Sequence, residues 1–422
     1  MREMKDSGLK WLGYVPSDWK VERLQWHLFE LNVKNNPIKT TNVLSLTNKR
    51  GVIPYEEKGA QGNISKENYN EYHLAYPNTI VANSMNILIG SVGYSNYYGC
   101  VSPVYYVFKE KENNDLHFII YIMQTTQFQK ELRKFANGIL EIRLRVSSSD
   151  ILKRFVAFPA YQEQVLISQF LDKECAKIDQ IMTDVQSQID ALEDYKKSVI
   201  SEAVTKGVSN SSEMVDTGFQ YWSRIPKNWK LVDIKYLFEI VKRIAGKEGY
   251  DILSVTQKGL KIKDISNNEG QIAESYAGYQ FVYPTDYVMN HMDLLTGWVD
   301  CSTMFGVTSP DYRVFRLRDK SNNLTFYKYV LQLCYFNKVF YSLGNGVSNL
   351  GRWRLQTDSF NNFLFPVPPI DEQKAIADYL DKKCADIDSV IGDKMSQLET
   401  LEEYKKSLIY EYVTGKKEVP AV

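Results

Sequence analysis

The ten-residue stretch FLDKECAKID at Phe170–Asp179 decides the fold, because it returns as YLDKKCADID at Tyr379–Asp388. The two copies lie 209 residues apart. The segments that follow them keep that spacing, with LEDYKKSVI at Leu192–Ile200 and LEEYKKSLI at Leu401–Ile409. Self-similarity at a fixed shift is the signature of an internal repeat. We therefore expect the second half of the chain to fold as the first half does.

Weaker matches extend the repeat outward on both sides of these segments. GLKWLGYVPSDWK from Gly8 corresponds to GFQYWSRIPKNWK from Gly218, and SPVYYVF from Ser102 corresponds to SPDYRVF from Ser309. The stretches in between, such as 51–66 and 259–271, differ freely. Because the matching residues have the character of scaffold, the pattern favours one fold that presents two different surfaces.

Each repeat ends in a long segment with helical periodicity. Apolar residues recur every three or four positions from about Gln162 to Val204, and again from about Asp371 to Val413, which predicts two helices of roughly 40 residues. Asp371 is an expected N-cap, and Gly207 and Gly415 are expected stops. Two apolar stripes of equal length and matching register predict that the helices pack against each other as a coiled coil. We expect them to be antiparallel, because only then does the second helix return the chain to the end where the first began.

The remaining sequence predicts strand-rich modules. Short alternating runs are broken by Gly, Asn and Pro, and one helix is expected in each module, at Asp115–Phe135 and at Asn323–Tyr341. The predicted fold class is α+β, with two strand-rich domains separated by two long antiparallel coiled-coil helices and an internal pseudo-twofold repeat. The expected domain boundaries are 1–160 and 208–369 for the modules, and 161–207 and 370–422 for the helices and tail.

Composition limits the classes of function. Fifty-one basic residues balance fifty-one acidic ones, which argues against a protein that simply coats DNA. The five cysteines are scattered singly, a pattern typical of reduced cytosolic thiols. The chain has no apolar stretch of about 18 residues and no signal-like N-terminus, so we expect a cytoplasmic protein without a membrane segment.

The sequence lacks the motifs of the common catalytic sites. The four histidines are far apart and lack metal-ligand spacing, and there is no phosphate-binding P-loop. A glycine-rich methyl-donor loop and an Asn-Pro-Pro-Tyr/Phe motif are also missing. We therefore expect no catalytic site, no cofactor and no metal in this chain.

The repeat resembles the specificity subunit of type I restriction-modification systems over essentially the whole chain. The residues that carry the resemblance are PSDWK at Pro16 and PKNWK at Pro226, and above all the paired segments from FPAYQEQ and PVPPIDEQ to the two YKKS sequences. The resemblance implies two target-recognition domains on a shared helical spacer. It also implies a non-catalytic subunit that binds double-stranded DNA, two methyltransferase subunits and motor-nuclease subunits.

Two unlike modules on a rigid spacer would read the two halves of an asymmetric, bipartite DNA site. One alternative is a structural coiled-coil adaptor that binds only protein partners. Another is a fused methyltransferase-specificity protein, although the sequence lacks the methyl-donor motifs that such a protein needs. The exposed faces around Tyr195–Lys197 and Tyr404–Lys406 are candidate docking surfaces for methyltransferase subunits, or simply solvated helix faces.

The DNA-binding candidates fall into two groups. Residues with base-reading chemistry follow a predicted strand in each module, where the alternative is a solvated turn: Asn48, Lys49, Arg50, Gln257, Lys258 and Lys261. Residues at matching positions of both modules suit contacts with phosphates, or else ion pairs with an acidic helix: Arg143, Arg145, Arg352 and Arg354.

Overall fold

The computed structural model describes residues 2–47, 50–59, 68–111, 113–138, 144–209, 213–264, 273–346 and 353–420. These residues form two compact units. Unit 1 comprises Met1–Gln186 and Ser396–Val422, and unit 2 comprises Ser187–Met395. Each unit therefore contains one module together with parts of both long helices.

Unit 1 is built from short strands and helices, with a long helix α4 that begins in unit 1 and ends in unit 2. Its elements are β1 (Met4–Asp6), β2 (Tyr14–Pro16), β3 (Lys20–Arg23), β4 (Leu28–Glu30), β5 (Leu44–Thr47), β6 (Gly51–Pro54), β7 (His73–Ala75), β8 (Thr79–Asn83), β9 (Val92–Ser95), β10 (Gly99–Val101), β11 (Tyr105–Glu110), α1 (Leu116–Gln124), α2 (Thr126–Arg133), α3 (Ser148–Leu152), β12 (Phe155–Phe158) and α4 (Tyr161–Lys206).

Unit 2 repeats this order with one short helix, α5, added, and its long helix α9 returns the chain to unit 1. Its elements are β13 (Met214–Asp216), β14 (Arg224–Pro226), β15 (Lys230–Asp233), α5 (Ile234–Leu237), β16 (Phe238–Val241), β17 (Leu253–Thr256), β18 (Gly259–Ile262), β19 (Gln280–Val282), β20 (Tyr287–Met289), β21 (Val299–Cys301), β22 (Gly306–Thr308), β23 (Arg313–Leu317), α6 (Leu324–Phe336), α7 (Val339–Ser342), α8 (Thr357–Asn361), β24 (Leu364–Val367) and α9 (Ile370–Val413).

The sheets of the two units match strand for strand. Unit 1 has an antiparallel sheet in the order β4-β11-β8-β9, and unit 2 has one in the order β16-β23-β20-β21. The two-stranded sheets β5-β6, β7-β10 and β3-β12 likewise recur as β17-β18, β19-β22 and β15-β24. The predicted α+β class with an internal repeat is confirmed.

The central strands are buried on both faces, which explains their largely apolar sequences. All five residues of β8 are buried: Ile80 and Ala82 contribute to the large core of unit 1, and Val81 contributes to a smaller second core. In β20, Tyr287 and Met289 belong to the large core of unit 2 while Val288 lies in a small one. This division follows from the alternation of side chains along a strand.

The prediction of a single helix in each module was wrong. Thr125 interrupts the first with an extended backbone, and its hydroxyl caps α2 by accepting from the amide of Phe128. In unit 2, Lys338 adopts φ +55° between α6 and α7. The N-caps of the first helices, Asp115 and Asn323, do lie at the expected starts.

The two predicted long helices are present and antiparallel within each unit. In unit 1 the rings of Phe170 and Tyr412 lie 4.6 Å apart, and Lys405 Nζ lies 2.6 Å from Asp179. In unit 2 the equivalent ion pair joins Lys196 to Asp388 at 2.6 Å. These contacts join early positions of one helix to late positions of the other, as antiparallel packing requires.

Two details of the helix predictions need correction. Helix α9 begins at Ile370, so Asp371 lies in the first turn rather than at the N-cap. An acidic side chain in that turn still interacts favourably with the helix dipole. Four residues of the predicted apolar stripes are exposed, because a 3.6-residue turn drifts away from a packed seam: Ile181, Tyr195, Met395 and Tyr404.

Candidate nucleic-acid interface

Equivalent β-hairpins carry the candidate base-reading residues in the two units. The hairpin β5–β6 pairs Thr47 with Gly51, and β17–β18 pairs Thr256 with Gly259. In each, the threonine hydroxyl donates to the glycine carbonyl, at 3.0 and 2.8 Å. The scaffold of the two hairpins is therefore the same, while the residues at their tips differ in number and chemistry.

The described candidates lie at or beside these tips and are exposed. Arg50 forms an ion pair with Glu57, which lies in the turn after β6, and Gln257 donates to the carbonyl of Thr296 at 3.4 Å. Lys258 occupies the tip and Lys261 lies on β18, both with exposed side chains. Asn48 and Lys49 lie outside the described residues. The hairpin of unit 2 brings Gln257, Lys258 and Lys261 together, and the hairpin of unit 1 places Arg50 at the equivalent tip.

The second group of candidates closes a loop in each module. Arg145 exchanges two backbone hydrogen bonds with Asn137, at 2.8 and 2.9 Å, and Arg354 does the same with Asn345, at 3.0 and 3.2 Å. Both arginines are exposed, and neither pairs with a described carboxylate, so the alternative of an ion pair with an acidic helix is not observed for them. Arg143 and Arg352 lie outside the described residues.

In each unit a strand residue that the sequence did not single out donates a hydrogen bond to the backbone carbonyl that follows the arginine, that of Val146 or Leu355. The hydroxyl of Tyr106 donates to the carbonyl of Val146 at 3.2 Å, whereas Arg313 Nη2 donates to the equivalent carbonyl of Leu355 at 3.0 Å. The matched strings SPVYYVF and SPDYRVF contained the signal for unit 2, because an arginine in the second replaces a tyrosine in the first.

Each module is fixed to its long helix by the same pair of contacts. The buried amides of Gln164 and Gln373 donate to the carbonyls of Pro159 and Pro368 and accept from the backbone at the start of α1 and α6. Tyr121 and Tyr329 donate to helix carboxylates at 2.6 and 2.9 Å. Because these anchors are duplicated, each module has the same attachment to its own helix segment.

The cysteines beside these tyrosines are buried thiols. Burial raises the pKa of Cys175 to about 11, and it also raises the pKa of Cys384. Thiols that stay protonated are poor nucleophiles. Within the described ranges, His, Cys, Asp and Glu side chains form no group of three suited to a metal ion. No helix there is long and apolar enough to cross a membrane.

Comparison with protein families gives a match to both halves of the repeat. The model of the type I restriction modification DNA specificity domain matches residues 16–191 and again residues 226–400. The chain belongs to this family. Its duplicated hairpins, and the backbone pairings of Asn137 with Arg145 and of Asn345 with Arg354, therefore belong to two copies of a DNA specificity domain.

Individual family members support the assignment over most of the chain. The MjaVIII specificity subunit of a type I restriction enzyme from Methanocaldococcus jannaschii is 24% identical over 329 residues, covering 73% of this chain and 71% of that one. The MjaX specificity subunit of the same organism is 21% identical and covers 96% and 95%.

A solved structure shares the fold of this family member. It is a chain from a structure describing complex assembly and conformational transition of the type I R-M system. It has a TM-score of 0.69 and 11% identity, covering 96% of this chain and 99% of that one. At that identity the likeness concerns the fold alone.

Proposed function

We propose that this chain is the non-catalytic DNA-specificity subunit of a type I restriction-modification complex in the cytoplasm. Modules within residues 1–160 and 208–369 would each read one half of an asymmetric, bipartite site. The observation that carries this proposal is the pair of equivalent hairpins with unlike polar tips. Arg50 in one, and Gln257, Lys258 and Lys261 in the other, have the donor chemistry that reads base edges. We include Asn48 and Lys49 as further candidates on sequence grounds.

In this proposal, the arginines at matching positions of the two modules contact phosphates. Arg145 and Arg354 lie at equivalent places in unlike modules, are exposed and have no carboxylate partner among the described residues. A cation that both modules share, beside reading residues that differ between them, suits contact with the DNA backbone, whose chemistry does not depend on sequence. We extend the same role to Arg143 and Arg352 on the strength of the matching RLR and RWR sequences.

The long helices would set the half-site spacing and dock two methyltransferase subunits. Helices α4 and α9 have nearly equal lengths of 46 and 44 residues. Exposed apolar side chains recur on them at matched positions, as expected for surfaces that bind protein: Tyr161 and Ile370, Ile181 and Val390, Tyr195 and Tyr404. Lys196 and Lys405 instead pair with carboxylates of the neighbouring helix. Motor-nuclease subunits would join this assembly for cleavage.

The test is to sequence the methylome of cells that express this chain with its methyltransferase partner. We expect one methylated motif of two unlike specified segments separated by unspecified bases. A matched culture with the methyltransferase alone should lack this motif. A protein-binding adaptor without DNA specificity would leave the methylation pattern the same in both cultures, and that result would refute the proposal.

A further inference from the structure

Arg313 is a buried cation at the start of strand β23. Its exposed fraction is 5%, and its guanidinium lies 4.6 Å from the ring centre of Phe360. Nη2 donates to the carbonyl of Leu355 and lies 3.4 Å from the hydroxyl of Thr357. Nη1 is buried and has no hydrogen-bond partner among the described residues.

No carboxylate among the described residues balances the charge of Arg313. Burial lowers the pKa of its guanidinium to about 10, which still leaves it protonated at neutral pH. No carboxylate oxygen of the described residues lies within 4.0 Å of a guanidinium nitrogen of Arg313. A buried charge without a partner destabilises a fold, and such a group calls for a physical explanation.

Two other basic side chains lie near Arg313. Burial, together with the charges of Arg313 and Arg354, lowers the pKa of His291 to about 4, so the three groups are close enough to interact. The Nδ1 atom of His291 is buried and also lacks a partner among the described residues. Arg354 is the exposed member, directly preceding Leu355, whose carbonyl Arg313 holds.

The other copy of the domain shows that the fold does not need this charge. At the equivalent positions unit 1 has Tyr106 for Arg313 and Ser84 for His291. The neutral hydroxyl of Tyr106 donates the equivalent hydrogen bond, to the carbonyl of Val146. The cation at 313 is therefore an addition in unit 2 beyond what supports the loop.

We propose that Arg313 and Arg354 together create an anion-binding site in unit 2 for a phosphodiester group of the DNA backbone. This inference rests on the proposed DNA-reading function. Arg354 would contact the phosphate. Arg313 is a positioning residue, because its hydrogen bond to the carbonyl of Leu355 fixes the backbone next to Arg354. Its positive charge also attracts the phosphate, and water screens this attraction weakly because the guanidinium is buried. Binding of the phosphate offsets the unfavourable burial of that charge.

The test compares Arg313→Tyr with the wild-type chain, each assembled with the methyltransferase subunits and titrated with DNA carrying the methylated motif. Tyrosine is the residue at the equivalent position of unit 1, so the carbonyl of Leu355 keeps a hydrogen-bond donor. We expect about tenfold weaker binding at low salt. The slope of log affinity against log salt should become shallower by up to about one ion, as for loss of a phosphate contact. Arg313→Lys should restore the slope.

Stability provides the readout that separates this proposal from a merely structural role. Arg313→Tyr should leave unit 2 as stable as the wild type or more stable, because an unbalanced buried charge has been removed. Weaker binding together with a destabilised unit 2 and an unchanged salt slope would overturn the proposal, as would unchanged binding. Wild-type complex without preference for the motif would instead refute the proposed function itself.

A last arm distinguishes DNA from a free anion. Inorganic phosphate and chloride at equal ionic strength should weaken DNA binding equally. Stronger competition by inorganic phosphate that Arg313→Tyr abolishes would show that the site takes the free ion, and would overturn the assignment to the DNA backbone.

Discussion

Near the start of each module a buried tryptophan lies at the equivalent position, but the hydrogen bonding of its indole differs between the two units. Trp19 Nε1 donates to Glu163 at 3.3 Å, and Arg2 binds the same carboxylate. In unit 2, Glu372 instead accepts from Asn228 at 3.1 Å, and Trp229 Nε1 has no partner among the described residues. A repeated fold thus keeps its apolar anchors while the polar contacts around them diverge.

We expect the largest difference between the two units from the substitution Glu163→Ala. It leaves the indole of Trp19 and one side of Arg2 without their acceptor, so unit 1 should lose about 2 kcal/mol of unfolding free energy. Native-state hydrogen exchange on the full chain reports each unit separately. The matched control Glu372→Ala should cost less than half as much in unit 2. Equal losses in both units would show that the two networks do not differ in strength.

A second difference lies beside the edge strand of each sheet. In unit 1 the rings of Tyr94 and His117 lie 4.5 Å apart, and the hydroxyl of Tyr94 bonds to Asn78. Unit 2 has Cys301 and Thr325 at the equivalent positions, and there a pocket of about 470 Å³ takes the place of the rings. The same backbone therefore tolerates a filled or an open site.

Tyr94→Cys would give unit 1 the residue of unit 2. We expect a loss of about 1.5 kcal/mol, because a half-buried ring and its contact with His117 disappear. Tyr94→Phe keeps the ring and removes only the hydroxyl, so it should cost about 0.5 kcal/mol. Thermal or denaturant unfolding of unit 1, followed by hydrogen exchange, measures both. A Cys variant as stable as the wild type would mean that the ring pair does not support unit 1.

A pH-dependent difference should follow from His291. Its pKa is lowered to about 4 in the folded chain, against 6.5 for an ordinary histidine, so the unfolded state binds the extra proton first. Unit 2 should therefore lose stability as pH falls from 6.5 toward 4, by about 1 kcal/mol at pH 5 after allowing for partial exposure. His291→Ser, with the residue of unit 1, should remove this dependence. A slope that persists in the serine variant would assign it to another group.

The smallest effect is expected at one turn residue. Thr285 adopts φ +77°, which is unfavourable for a β-branched side chain, whereas unit 1 has Asn78 there at φ +59°. Thr285→Asn should stabilise unit 2 by about 0.5–1 kcal/mol, because asparagine tolerates this region better. The reciprocal change Asn78→Thr should destabilise unit 1 at least as much. Denaturant unfolding checks both, and a destabilised Thr285→Asn variant would contradict this explanation.

The parts of the fold that the sequence predicted best are those with long periodic signals. Two helices of more than 40 residues impose their pattern over many turns, and repeated strings such as SP-x-Y locate equivalent strands. Breaks within shorter helices escaped prediction, because Thr125 and Lys338 act through single backbone conformations.

The candidate site was predicted less completely, since it depends on which strands become neighbours. Sequence spacing placed Gln257, Lys258 and Lys261 after a strand, and the hairpin then brought them together. It gave no indication that Arg313 would contact the backbone of Leu355, 42 residues away. Long-range pairing of this kind has no local pattern from which it could be read.

The most direct test of the central claim is to replace residues 21–146 with the equivalent module of another family member and sequence the methylome. If each module reads its own half-site, one segment of the methylated motif should change, while the other segment and the gap stay the same. A motif that is unaffected by the replacement, or one that changes in both segments, would contradict the assignment of separate reading functions to the two modules.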